Sequence, residues 1–175
     1  MRYSSFQEYA TTAILQSLIR GNKLYTENSG FEVVIDKCTH EEEARVGTSK
    51  YADLVCDIVY KHKKSGKEHT EVCVFEMKSC NSDLKSGWGM NFVGDRNFLV
   101  VPGSTTARRL GNNVINGEDA LHYLDSRGFQ SVGVLKVAKD GKIECVRPSW
   151  DSGRFGHLFL AWFGDREYKN NWCYD

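Results

Sequence analysis

An apolar strand candidate ends in charged residues whose types and spacing suit chemistry. Residues 72–75 are apolar, and Glu76 and Lys78 follow with Met77 between them. Side chains alternate along a strand, so Glu76 and Lys78 are predicted to share one face. A carboxylate can bind a divalent cation, and a neighbouring ammonium can bind a phosphate oxygen or orient a water. The alternative is an exposed strand end where both residues only contact solvent, because this short pattern is common.

A second carboxylate, Asp53, stands near the start of the preceding strand candidate. Residues 51–60 alternate as a strand does and place Asp53 and Asp57 on the same face. A polar segment with a Ser-Gly turn signal follows, so the two strands are predicted to form a hairpin. That hairpin would bring Asp53 near Glu76, and two converging carboxylates suit Mg²⁺ or Mn²⁺. Asp57 is a weaker ligand candidate, with a solvated strand residue as its alternative.

These residues form an ordered series that resembles the PD-(D/E)XK nucleases, and most of all the MmcB-like DNA repair family of bacteria and phages. The series is Tyr-Ala-Asp-Leu-Val at 51–55, Glu-Met-Lys-Ser at 76–79 and Ser-Asp at 82–83. Residues 91–102 and the later hairpin are also similar, so the resemblance covers roughly residues 30–148. Tyr51 departs from the family, which usually has arginine at that position.

The resemblance implies a restriction-endonuclease-like fold and a metal-dependent endonuclease that hydrolyses phosphodiester bonds in DNA repair or in phage or bacterial DNA processing. It implies that Asp53 and Glu76 bind Mg²⁺ or Mn²⁺, with the Met77 carbonyl as a further ligand. Lys78 would position or activate the attacking water, whose pKa the metal would lower. Many members carry another acid on the first helix, and Glu8 is the candidate here. Its alternative is a solvated first-turn acid favoured by the helix dipole.

Binding of nucleic acid would depend on local cations, because lysine plus arginine and aspartate plus glutamate both number 23. A neutral chain has no general basic surface for phosphates. The candidates flank the proposed site in sequence: Lys85, Arg96, Arg108 and Arg109, with Trp88 as an aromatic that could stack on a base. The alternative for each is an ordinary surface charge or a packed tryptophan. Asp83 is predicted either to cap the next helix or to support Lys78.

The elements that must position this site follow from periodicity and turn signals. One domain over residues 1–175 is expected, with 150–175 as a candidate family-specific extension, because the chain shows no linker or repeat. The class is α/β, with a mixed central sheet flanked by helices. The predicted order is a helix at 4–20, a strand at 31–35, an acidic loop at 41–43, the hairpin of 51–60 and 71–78, a strand at 98–101, a helix at 118–126, a second hairpin around Asp140-Gly141, and an apolar element at 155–163.

Composition restricts the compartment and the partners. The N-terminus lacks the apolar run of a signal peptide and no stretch is long enough to span a bilayer, so a cytoplasmic location without a membrane partner is expected. The six cysteines form no C-x-x-C pair, so they are predicted to be reduced and structural. DNA is the expected partner, with RNA as an open alternative. The oligomeric state stays open, with a homodimer as one option.

Three functions compete at this level. The first is the metal-dependent DNA nuclease, and the second is a nucleic-acid-binding module of the same fold with little or no cleavage. The third is a structural or interaction protein in which the Glu-x-Lys pattern is incidental. The combination of Asp53, Glu76 and Lys78 favours the nuclease, because a binding module needs no metal-binding acids. The neutral charge favours the other two.

Overall fold

A computed structural model describes residues 2–20, 33–46, 51–86, 91–103, 115–150 and 170–173. These residues form three helices and seven strands in the order α1 (Arg2–Ile19), β1 (Val33–Arg45), β2 (Tyr51–His62), β3 (Glu68–Met77), α2 (Asn81–Ser86), β4 (Arg96–Pro102), α3 (Gly117–Ser126), β5 (Gly133–Val137), β6 (Ile143–Arg147) and β7 (Asn170–Cys173). No helix among them is long and apolar enough to cross a membrane.

The strands form one mixed sheet in the order β6-β5-β4-β3-β2-β1-β7. Strands β1, β2 and β3 are antiparallel neighbours, whereas β4 pairs in parallel with both β3 and β5. Parallel neighbours require crossover connections, and the crossovers here contain α2 and α3. This α/β arrangement confirms the predicted fold class and is compatible with a restriction-endonuclease-like fold.

The two faces of the sheet are covered by different helices. Helix α1 buries a stripe at helical spacing that includes Phe6, Ala10 and Ile14, and it packs on the face that carries Leu54 and Phe75. On the other face, α3 packs its own apolar stripe against alternate residues of β4 and β5. Each central strand therefore has side chains buried on both faces, which fixes the strand register.

Both predicted hairpins are confirmed. Strands β2 and β3 pair from Lys61↔Glu68 to Leu54↔Phe75. Their connecting turn contains Gly66 at a φ of 66°, a conformation that glycine adopts without strain. Strands β5 and β6 are antiparallel neighbours.

Strand β1 is longer than predicted. The acidic residues 41–43, expected as a loop, lie within it, and Glu42 pairs with Leu54. Glutamate has a weak preference for strands, but backbone pairing with β2 along the length of β1 outweighs that preference. Glu43 has a positive φ of 48°, so the strand is locally irregular there. The predicted element at 155–163 lies outside the described residues, and β7, in the candidate extension, pairs with β1.

Candidate active site

Asp53 and Glu76 meet where the backbone pairing of β2 and β3 stops. The last backbone pair is Leu54↔Phe75, so Asp53 and Glu76 occupy the next position of the same register. There Asp53 Oδ2 accepts a hydrogen bond of 2.7 Å from the Met77 backbone N–H, which continues the ladder with a side chain. The two carboxyl groups are close enough to act on each other's pKa values. The predicted convergence of the two acids is confirmed.

Glu76 and Lys78 are buried, although they end a strand. Their exposed fractions are 1% and 6%. The alternative of a solvated strand end is therefore wrong. The Lys78 backbone N–H donates to the Val100 carbonyl at 3.0 Å and extends the pairing with β4 beyond the end of β3. Burial of a carboxyl group and an ammonium group two residues apart at a strand end is unfavourable without a compensating role, so this arrangement is typical of a functional site.

The electrostatics of the pair favour a cation. Burial, followed by the charge of Asp53, raises the pKa of Glu76 to about 9. Burial also raises the pKa of Asp53, although the hydrogen bond from Met77 and the charge of Lys78 oppose this rise. At neutral pH Glu76 therefore keeps its proton, because its pKa lies above 7 and the adjacent Asp53 carboxyl disfavours a second ionised group. A divalent cation would allow both to ionise.

Lys78 is held by an acid on the following helix. Its Nζ lies 3.4 Å from Asp83 Oδ1, and the two side chains are 7% and 22% exposed. Asp83 lies inside α2, so its ion pair with Lys78 fits the supporting role better than the capping role. The ammonium also acts on the pKa values of Asp53 and Glu76, which places a positive charge beside the carboxyl pair.

The donor set fits Mg²⁺ or Mn²⁺. Within the described part of the chain, no group of three or more His, Cys, Asp or Glu residues is arranged to hold a metal. Mg²⁺ is commonly held by one or two carboxylates together with waters and substrate phosphates, so Asp53 and Glu76 suffice as its side-chain ligands. The implied Met77 ligand must be its carbonyl, because the Met77 side chain packs in the core beneath α1, where Thr11 Oγ1 lies 3.7 Å from its sulfur.

The structure does not bring Glu8 to this pair. Its side chain is exposed on α1. That helix covers the face of Leu54 and Phe75, whereas alternation along β2 and β3 points Asp53 and Glu76 to the opposite face. The interpretation of Glu8 as a solvated first-turn acid fits its position.

Asp57 lies on the face of Asp53 but further along β2. The two lie four positions apart along the strand, or about 13 Å. Burial and the charge of Asp95 raise the pKa of Asp57 to about 6. Asp57 thus lies beside Asp95, and it is too far along β2 to bind the same metal ion as Asp53 and Glu76.

The candidates for nucleic-acid contact have different environments. Lys85 is exposed on α2, two residues after Asp83. Arg96 is only 8% exposed, and its guanidinium donates to the Ser149 carbonyl at 2.9 Å and pairs with Glu71 at 3.5 Å. It lies at the start of β4, opposite Cys73 of β3, so the structure does not bring Arg96 to the carboxyl pair. Trp88, Arg108 and Arg109 lie outside the described residues.

Sequence reasoning missed Asn91. Its backbone N–H donates to Glu76 Oε1 at 3.3 Å, and its side-chain amide donates to the Tyr51 carbonyl at 2.8 Å. One residue thus joins the start of β2 to the end of β3. No local pattern could have revealed it, because the chain passes through α2 before Asn91 returns to the site.

Comparison with models of known protein families gave no match, and comparison with curated proteins gave none.

Binding of Mn²⁺ should release a proton. The carboxyl pair holds one proton at neutral pH, and a cation that binds both carboxylates must displace it. The Mn²⁺ affinity should therefore rise by about tenfold per pH unit from pH 6 to 8. Calorimetry in buffers of different ionisation enthalpy measures the proton count directly. Asp53→Asn is the control, since it should lose both the binding and the proton release, and binding independent of pH would contradict the shared proton.

Proposed function

We propose that this protein is a divalent-metal-dependent nuclease that hydrolyses phosphodiester bonds of DNA. The observation that carries the proposal is the Asp53–Glu76 carboxyl pair with the Lys78 ammonium beside it, in which Glu76 and Lys78 are buried and Asp53 is partly buried. An incidental Glu-x-Lys pattern gives no reason to bury Glu76 and Lys78 beside a partly buried Asp53, because each group loses hydration. The ordered resemblance of residues 51–55 and 76–83 to PD-(D/E)XK nucleases supports the same function.

Each residue has a distinct role in this proposal. Asp53, fixed by the Met77 N–H, and Glu76, fixed by the Asn91 N–H, would hold Mg²⁺ or Mn²⁺. When bound, the cation supplies positive charge to the scissile phosphate and acidifies a nearby water. Lys78, held by Asp83, donates hydrogen bonds to a phosphate oxygen or to the attacking water. Asp83 does not contact substrate and acts by positioning Lys78.

A nucleic-acid-binding module of the same fold is the second candidate function. Among the described residues no third His, Cys, Asp or Glu joins Asp53 and Glu76, and this smaller donor set favours it. DNA repair or phage and bacterial DNA processing is the proposed context of either function, with DNA preferred to RNA as the partner. We further propose a cytoplasmic location.

A cleavage assay tests the nuclease proposal. Purified protein should cut at least one of single-stranded, nicked or branched DNA when Mg²⁺ or Mn²⁺ is present, and EDTA should stop the reaction. Asp53→Ala should remove cleavage because it deletes one of two metal ligands, whereas Asp57→Ala, on the same strand face, should cut normally. Wild-type protein that binds these DNAs but leaves all of them intact with Mn²⁺ would favour the binding module.

A further inference from the structure

Tyr51 is an exposed aromatic residue beside the carboxyl pair. Its exposed fraction is 55%, which is high for so large a side chain. It precedes Asp53 by two residues on β2, so strand alternation puts both side chains on one face about 7 Å apart. Its position next to the proposed metal ligands makes Tyr51 part of the approach to the site.

The contacts of Asn91 give independent evidence of this proximity. Asn91 reaches Glu76 Oε1 with its backbone N–H and the Tyr51 carbonyl with its side chain. Asn91 therefore bridges the Tyr51 backbone and the Glu76 carboxyl group, so these two residues lie close together in space. The same hydrogen bond, together with the pairing of Tyr51 and Arg45 across β1 and β2, fixes the backbone beneath the ring. A ring on a fixed strand is a firmer stacking platform than one on a loop.

The surroundings of the ring suit a nucleotide. Arg45 is exposed and stands directly opposite Tyr51 in the strand register, and directly opposite residues lie about 5 Å apart. A base can stack on an aromatic ring while an adjacent guanidinium binds the phosphate of the same nucleotide. The ring also stands two residues along β2 from Asp53, a proposed ligand of the metal at the scissile phosphate.

We propose that Tyr51 stacks on an unpaired base next to the scissile phosphate, and that the preferred substrate is therefore single-stranded or locally unpaired DNA. The inference rests on the proposed nuclease function. Bases inside a duplex already stack on both faces, whereas an unpaired base has a face available for the ring. Tyr51 would thus select for strands with unpaired bases at the site of cleavage.

Binding of short oligonucleotides tests this role. The assay uses Ca²⁺ in place of Mg²⁺, with gels to verify that the strand stays intact, and 2-aminopurine placed at each position in turn. We expect its fluorescence to be quenched at one position by wild type and by Tyr51→Trp. Tyr51→Leu should abolish that quenching and weaken single-strand binding by about 5- to 150-fold, the range found when a stacking aromatic is removed. Duplex binding should change far less.

The controls separate this inference from the proposed function. Trp150→Ala removes another exposed aromatic residue, 66% exposed and next to Ser149, whose side chain binds the start of β4. It should leave binding and quenching unchanged. If Tyr51→Leu binds single strands as wild type does, the stacking role is overturned, while cleavage that depends on Asp53 keeps the nuclease. If wild type binds no single strand, the stacking role also fails, and duplex cleavage then decides the nuclease separately.

Discussion

Lys78→Met should lower the rate of DNA cleavage by about 10²–10³-fold, the usual effect of removing one group that stabilises transition-state charge. Methionine keeps most of the length of the side chain and removes only the ammonium. Asp53 and Glu76 remain, so Mn²⁺ binding should persist. The variant should also fold, because Asp83, the partner that loses its ion pair, is 22% exposed and can be hydrated. Single-turnover cleavage and Mn²⁺ calorimetry on the same preparation measure the two effects.

Lys61→Met is the matched control for this change. Lys61 is an exposed lysine at the far end of the β2–β3 hairpin, where it pairs with Glu68, and its loss should leave cleavage unchanged. A Lys78→Met protein that cleaves as fast as wild type would show that the ammonium has no role in the reaction. Equal losses of Mn²⁺ binding and cleavage would instead mean that Lys78 maintains the carboxyl pair.

The fold was largely predictable because local signals and tertiary packing agree. The alternating pattern of residues 51–60 specifies a half-buried strand, and the Ser-Gly turn closes the hairpin that sets the register of Asp53 and Glu76. Disagreement arose at Glu41, Glu42 and Glu43, whose local preference is for a loop. Pairing with β2 decided their conformation, and that pairing depends on the whole sheet.

The site was predictable only in part, for a related reason. Alternation places Glu76 and Lys78 on one face, but it does not show that both are buried. Burial comes from Asn91 and from β4, which reach the end of β3 only after a crossover. The same limit explains why Arg96 was predicted to lie near the site, since it flanks the site only in sequence. Its position in β4 directs it to Glu71 and Ser149 instead.

Glu76→Gln should stabilise the metal-free protein at pH 7 while it removes Mn²⁺ binding and cleavage. The pKa of Glu76 is about 9 in the folded protein, against 4.5 as the ordinary value. Between these values the folded chain holds a proton that the unfolded chain has lost. Wild-type stability should therefore fall as the pH rises from 5 to 9, by at most about 1.4 kcal/mol per pH unit.

The size of the gain follows from how far pH 7 lies above the ordinary pKa of Glu76. At pH 7 the folded chain must keep a proton that the unfolded chain has lost, and this opposes folding by as much as roughly 3 kcal/mol, since pH 7 is about 2.5 units above 4.5 and each unit corresponds to about 1.4 kcal/mol. Glutamine is neutral at every pH and its amide can donate to Asp53, as a protonated carboxyl can. Denaturant unfolding from pH 5 to 9 should thus show a falling free energy of unfolding for wild type and a flatter one for Glu76→Gln.

Mn²⁺ should make wild type more stable than Glu76→Gln, because it binds the ionised carboxyl pair of wild type and stabilises that folded state by mass action. Glu68→Gln is the control. It removes an exposed glutamate from the other end of the same strand, so it should follow wild type at every pH. A Glu76→Gln protein that is no more stable than wild type, together with wild-type stability that is flat from pH 5 to 9, would contradict a protonated Glu76. The pair would then hold no proton for a metal to displace, and the electrostatic argument for a cation between Asp53 and Glu76 would fail with it.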